Sequence, residues 1–171
     1  MAANIDQIVI VTALGPEPQP ELLDRYLVAT EVAGIPPLIV LNKVDLLDQA
    51  DPRQHTVVAL EALYARLGYP MVRATTRAAG GLDALIGALI NKSSVFIGQS
   101  GVGKSSLVQA LLPDQPIRVG HLHQQTRLGR HTTSTARLYP YQAGGSIIDS
   151  PGIRDFGLEQ ISRTEVEFGF V

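Results

Sequence analysis

Short, unbroken apolar runs alternate along the chain with longer stretches in which apolar residues recur every three or four positions. Ile5 to Ala13 carries Ile-Val-Ile-Val at its centre, and a continuous β-branched run of this kind predicts a buried strand. Pro16, Pro18 and Pro20 then interrupt the chain. A helix is expected to start near Pro20, which suits a first helical turn, and to stop at Gly34. Its inner face reads as Leu23, Leu27 and Thr30, with Leu22, Tyr26 and Ala33 alongside. Pro37 to Leu41 is a second strand. Asp51-Pro52 supplies an N-cap and a first-turn proline for a helix carrying Val57, Val58, Leu60, Leu63, Tyr64 and Leu67 and ending at Gly68. Tyr69 to Ala74 is a third strand, and Leu82, Leu85, Ile86, Leu89 and Ile90 follow helical spacing. Ser94 to Ile97 is a fourth strand and Lys104 to Leu112 a fourth helix. Ala136 to Tyr141 and Ser146 to Asp149 flank Ala143-Gly144-Gly145 and read as an antiparallel hairpin.

Strand and helix repeating in this way, with strands apolar throughout, predict an α/β fold: a mostly parallel sheet with helices on both faces and one antiparallel edge strand. The span from Pro113 to Thr135 shows no periodicity, and a loop of that length within a compact domain is usually functional. The 171 residues suit one domain. With 45% hydrophobic and 18% charged residues, the chain has a sizeable core and is not disordered. A net charge of -2 announces no global basic field. Absence of cysteine excludes a disulfide scaffold, a thiol nucleophile and a cysteine zinc site. No apolar run reaches the roughly 18 residues of a membrane span, and the N-terminus carries no secretory pattern. A cytoplasmic protein with no membrane association is the expectation, and a monomer is expected.

The chemistry begins at Gly98-Gln99-Ser100-Gly101-Val102-Gly103-Lys104-Ser105, a complete G-x-x-x-x-G-K-[ST] loop between a strand and a helix. Its glycines let successive N–H groups turn inward as an anion nest, and the helix that follows adds its unpaired donors and positive end. Lys104 is read as the point charge on the β- and γ-phosphates, Ser105 as a Mg²⁺ ligand and Ser106 as an α-phosphate contact. These features predict the three-layer sandwich of a P-loop NTPase.

Asn42-Lys43-Val44-Asp45 closes the second strand, at the sheet edge where α/β proteins bind ligands. The Asp45 carboxylate accepts from N1–H and the exocyclic amine of guanine, a donor pair that adenine lacks. Asn42 braces the loop and the base, while the Lys43 stem lies along the base plane. Thr75 and Thr76, closing the third strand, form a second wall. Asp149-Ser150-Pro151-Gly152 fits D-x-x-G, with Asp149 on Mg²⁺ and the Gly152 N–H on the γ-phosphate, a known order-disorder switch. From Gln115 to Ile148 there are Arg118, Arg127, Arg130, Arg137, His121, His123 and His131 but no acid. That local charge suits a nucleotide or an RNA backbone. Thr132 or Thr133 supplies a second Mg²⁺ hydroxyl; spacing alone does not choose between them.

In an ordinary GTPase the phosphate loop follows the first strand and the guanine motif comes late. Here the order is inverted, which is a circular permutation of one sheet. The chain resembles the circularly permuted, ribosome-small-subunit-dependent GTPases, the RsgA/YjeQ family. The resemblance rests on Ala3-Asn4-Ile5-Asp6-Gln7, Asn42-Lys43-Val44-Asp45-Leu46 and Gly98 to Leu107. It continues through Gly129-Arg130-His131-Thr132-Thr133 and Asp149-Ser150-Pro151-Gly152-Ile153-Arg154, so it covers essentially the whole chain. It implies hydrolysis of GTP to GDP and phosphate, stimulated by the small (30S) ribosomal subunit and its rRNA, during late maturation of that subunit. It also implies Mg²⁺ as cofactor. The family's flanking OB-fold and zinc-binding domains are expected to be absent, leaving residues 1–171 as a permuted GTPase domain with no zinc.

Ile153 stands where many GTPases place a glutamine that orients the attacking water, so slow turnover is expected in isolation. The resemblance points to His131 as the group that positions water instead. The competing readings are a nucleotide-gated ribosome-binding module with negligible hydrolysis, and a P-loop kinase or ATPase using adenine, against which Asp45 argues.

Overall fold

The computed structural model describes residues 4–15, 18–47, 51–115 and 137–149. In chain order these form β1 (Gln7–Ala13), α1 (Pro20–Ala33), β2 (Pro37–Asn42), α2 (Arg53–Arg66), β3 (Met71–Arg73), α3 (Asp83–Leu89), β4 (Lys92–Gly98), α4 (Lys104–Leu111), β5 (Arg137–Pro140) and β6 (Gly145–Asp149). One sheet holds all six strands in the order β3-β2-β1-β4-β6-β5. Every neighbouring pair is parallel except β5 with β6.

The central strand β1 is apolar throughout because both of its faces are covered. Ile8 and Ile10 point into a cluster with Leu23, Tyr26 and Leu27 of α1 and Leu60 and Tyr64 of α2. Val9 and Val11 point the other way, onto Leu85 and Leu89 of α3 and Leu107, Val108 and Leu111 of α4. This two-residue alternation makes the three layers. It also separates the helices that follow the adjacent strands β1 and β4 onto opposite faces. A crevice therefore opens at the carboxyl ends of these strands, the place where doubly wound sheets bind ligands.

The helix boundaries have local causes. Gly34 closes α1 in the left-handed region at φ 66°, and its N–H reaches Glu31 O and Thr30 O. At the start of α2, the Asp51 carboxylate accepts from the Arg53 N–H at 2.9 Å and Pro52 has helical dihedrals, as the Asp-Pro pair predicted. Two apolar-face expectations differ from the structure. In α1, Ala33 is exposed whereas Val28 and Ala29 are buried. Along α2, Val57, Leu60 and Tyr64 are buried, but Val58, Leu63 and, just past its end, Leu67 are exposed. A helix laid on a flat sheet buries a single i, i+3, i+7 row, and the other three side chains lie beside that row. The third strand is shorter than expected, since only Met71, Val72 and Arg73 pair with β2. Among the described residues no helix is long and apolar enough to cross a membrane.

Candidate functional site

Five strand ends, those of β1, β2, β3, β4 and β6, converge on one edge of the sheet. β4 runs into the phosphate loop, and Gly103 then opens α4 with φ 89°, ψ 19°. A side chain at this position is excluded twice. The backbone is left-handed, and a Cβ would stand 2.5 Å from Asn42 Nδ2. That crowding reflects a bond: Asn42 Nδ2 donates to Val102 O at 2.8 Å, fastening the end of β2 to the loop. Asn42 is buried, so the bond also satisfies an amide that has little access to water.

Lys43 makes the second fastening. Its backbone is left-handed at φ 61°, unusual for a residue with a long side chain, and this turns the stem across the gap. The ammonium donates to Gly101 O at 2.7 Å and to Gly15 O. The loops after β1, β2 and β4 are thus held by one cation. The stem lies between the turn after β2 and the phosphate loop, and Lys43 lines the cleft there.

Asp45 follows in a short 3₁₀ turn, Val44–Leu46. Its Oδ1 accepts from the Thr75 hydroxyl at 2.5 Å, and its Oδ2 lies 3.8 Å from Arg77 Nη1. The turn is supported from behind by Arg53, whose Nη2 donates to Leu46 O at 3.0 Å and whose Nη1 donates to Leu14 O at 3.3 Å. Arg53 is itself oriented by Asp51, at 2.5 Å from Nη2. Those bonds from Arg53 hold the Asp51 carboxyl at a pKa of about 2.

These residues enclose a cleft of about 230 Å³ lined by Asn42, Lys43, Asp45, Leu46, Thr75, Thr76, Arg77, Gly103 and Ser106. The turn carrying Asn42, Lys43 and Asp45, the Thr75-Thr76 segment and the start of α4 therefore share one space. Val44 stands apart from this lining and packs against the Leu14, Leu41 and Val57 cluster. Gln99 and Val102 border a small cavity of about 10 Å³ beneath the loop, beside Thr12 and Tyr26. Gly98 is the last residue of β4; Ser100 is exposed and Ser105 half-buried. On the far side of α4's first turn, Lys104 Nζ lies 3.4 Å from Asp149 Oδ1, at the end of β6. That oxygen is buried and, among the described residues, has no hydrogen-bond partner. A buried anionic oxygen with an ion-pair neighbour but no hydrogen bond is a hard donor of the kind a Mg²⁺ ligand set uses.

His131, Thr132, Thr133 and Gly152 lie outside the described residues, as do Ile153 and Arg154. Two residues close to the site were missed by sequence reasoning, Arg77 and Arg53. Neither belongs to a motif. Only the position of Arg77 next to Thr75-Thr76 and the i, i+2 spacing of Arg53 from Asp51 hinted at them.

A doubly wound sheet in which Asn42-Lys43-Val44-Asp45 precedes Gly98 to Ser105 has the motif order of a circularly permuted GTPase. The family model described as RsgA GTPase matches residues 1–159, and the chain belongs to that family. The small ribosomal subunit biogenesis GTPase RsgA of Chromohalobacter salexigens is 53% identical over 171 residues, covering 100% of this chain and 49% of that protein. The protein of the same description from Pseudomonas aeruginosa strain LESB58 is 53% identical, over 100% of this chain and 50% of its own length. The chain thus spans about half the length of the curated relatives it matches. Among solved structures, YjeQ from Thermotoga maritima superposes with a TM-score of 0.75 at 33% identity, covering 98% of this chain and 55% of that one. YloQ, described as a circularly permuted GTPase, gives 0.71 at 31% identity, covering 98% and 51%.

Proposed function

We propose that this chain binds guanine nucleotides and hydrolyses GTP to GDP and phosphate, as the switch domain of a factor acting in late maturation of the small (30S) ribosomal subunit in the cytoplasm. One observation carries the reading. Asp45 and the first turn of the phosphate-loop helix line the same cleft, and Lys43 ties them together, so one ligand can be gripped by its phosphates and checked at its base.

In this reading the backbone N–H groups of residues 98–105 cradle the β- and γ-phosphates, and Lys104 adds a point charge. Asp45 pairs with the guanine donors, and an adenine would leave that carboxylate unpaired. Ser105 and Asp149 would hold Mg²⁺, with Thr132 or Thr133 completing the set, and the ion supplies charge neutralisation at the phosphates. The Gly152 N–H would sense the γ-phosphate. Ile153 has no group to orient water, and His131 is the residue assigned that work. Hydrolysis is then slow alone and faster on the small subunit, whose rRNA the acid-free basic stretch from Gln115 to Ile148 would meet.

Ile153 also favours a second reading, a nucleotide-gated ribosome-binding module with negligible hydrolysis. Phosphate release from GTP, measured with and without small subunits, separates the two. Stimulation that disappears in His131→Ala, with GDP affinity unchanged, supports the switch; no release in either condition supports the module. Equal affinity for ADP and GDP would remove both.

A further inference from the structure

Arg77 belongs to no motif, yet it faces the base-reading carboxylate. It sits in the turn between β3 and α3, which is closed by Thr75 N–H on Gly81 O at 2.9 Å and Gly81 N–H on Ala78 O at 3.1 Å. Its own N–H donates to the Thr75 hydroxyl oxygen at 3.1 Å. These bonds set the Arg77 backbone at the mouth of the cleft that the residue lines. The side chain is 77% exposed, so it has no part in the core, and its Nη1 still lies 3.8 Å from Asp45 Oδ2. That separation makes an ion pair and is too long for a hydrogen bond. With Thr75 on Oδ1, one turn supplies a partner to each oxygen of the carboxylate.

The donor edge of guanine, N1–H and the exocyclic amine joined through one carbon, is chemically a guanidine. Arg77 carries the same kind of group and brings its charge to the same carboxylate, through Nη1 at ion-pair distance. We infer that Arg77 competes with the base for Asp45: its ion pair with Oδ2 must open before a guanine donor takes that oxygen. The inference rests on the guanine-site reading above. The contact has the right strength for such a role. An exposed pair favours the paired state by at most about five-fold. Two hydrogen bonds from a bound base to a charged group outweigh that. The arm therefore keeps Asp45 neutralised between occupants without blocking entry. The site accepts a base only in the fraction of molecules whose arm is displaced, and apparent affinity falls by that fraction, about two- to six-fold.

The test is titration of GDP and ADP against the wild-type chain, Arg77→Ala, Arg77→Gln and Arg77→Lys, in about 50 mM and about 500 mM KCl. The expected result is GDP binding about two- to six-fold tighter in Arg77→Ala and Arg77→Gln at low salt. Arg77→Lys, which keeps the charge, should stay near wild type. The gap should narrow at high salt, where screening already frees the wild-type arm. Unchanged or weaker GDP binding in both uncharged variants would overturn the inference, since Arg77 would then be idle or a ligand contact. Should the wild-type chain bind ADP as tightly as GDP, the guanine reading itself falls, a result distinguishable from any change at Arg77 alone.

Discussion

Replacing Thr75 with valine isolates the support beneath Asp45, the carboxylate proposed to read the base. Valine keeps the shape of the side chain, which is 5% exposed, and deletes only the hydroxyl that donates to Asp45 Oδ1 at 2.5 Å and accepts from Arg77 N–H at 3.1 Å. In the unliganded protein the loss is mild, because the Asp45 side chain retains 20% of its exposure and water can replace the donor. The stability cost is therefore about 1 kcal/mol, a fall in Tm of roughly 2–4 °C. Binding is affected more. Ordering a carboxylate no longer held costs roughly 0.5–1 kcal/mol. Covering its oxygen with a base while no donor replaces the hydroxyl costs about 1–2 kcal/mol more. Together these predict GDP binding weakened by about 10- to 100-fold, with ADP changed by less than about two-fold because it does not use the carboxylate. Isothermal titration of both nucleotides is the assay, and Thr75→Ser, which restores the hydroxyl, is the control. GDP affinity within two-fold of wild type in a folded Thr75→Val protein would refute the reasoning, as would equal losses for GDP and ADP.

Gly103→Ala should abolish GDP and ADP binding together, because its Cβ would stand 2.5 Å from Asn42 Nδ2 and break the fastening of the phosphate loop. Gly34→Ala, at φ 66° with nothing within 4 Å, should cost about 1 kcal/mol of stability and leave binding intact, separating backbone strain from close approach. Tyr26→Phe should raise Tm by a few degrees, since among the described residues the buried hydroxyl has no hydrogen-bond partner and is better removed than left unpaired. The same burial pushes the Tyr26 hydroxyl to a pKa of about 12. The folded form is thus the more protonated one above pH 10, and the wild type loses stability between about pH 10 and 12 through this group, whereas Tyr26→Phe does not. Asp51, held at a pKa of about 2 by Arg53, contributes stability above its ordinary value of 3.8 and loses it as pH falls towards 2. Acid-melting curves of wild type and Asp51→Asn should therefore differ at neutral pH and converge near pH 2.

Much of this protein was determined by local sequence. Apolar runs of strand length, the Asp51-Pro52 start, the Gly34 stop and the spacing of the phosphate loop act over a few bonds, so their consequences can be read residue by residue. The order of the motifs also identified the permutation, because chain order is a property of sequence alone. Tertiary structure decided which apolar residues are buried. Val58, Leu63 and Leu67 are at least as hydrophobic as Val57, Leu60 and Tyr64, and only the position of α2 on the sheet separates the exposed set from the buried one. It also decided how the site is braced. Lys43 holds carbonyls 28 and 58 residues away, Asn42 one 60 residues away, and Arg53 one 39 residues away. A cation seeks the carbonyl or carboxylate that folding brings near it, and no spacing rule encodes that neighbour. The pairing of Arg77 with Asp45 arises in the same way, from two strand ends set side by side when β3 docks on β2.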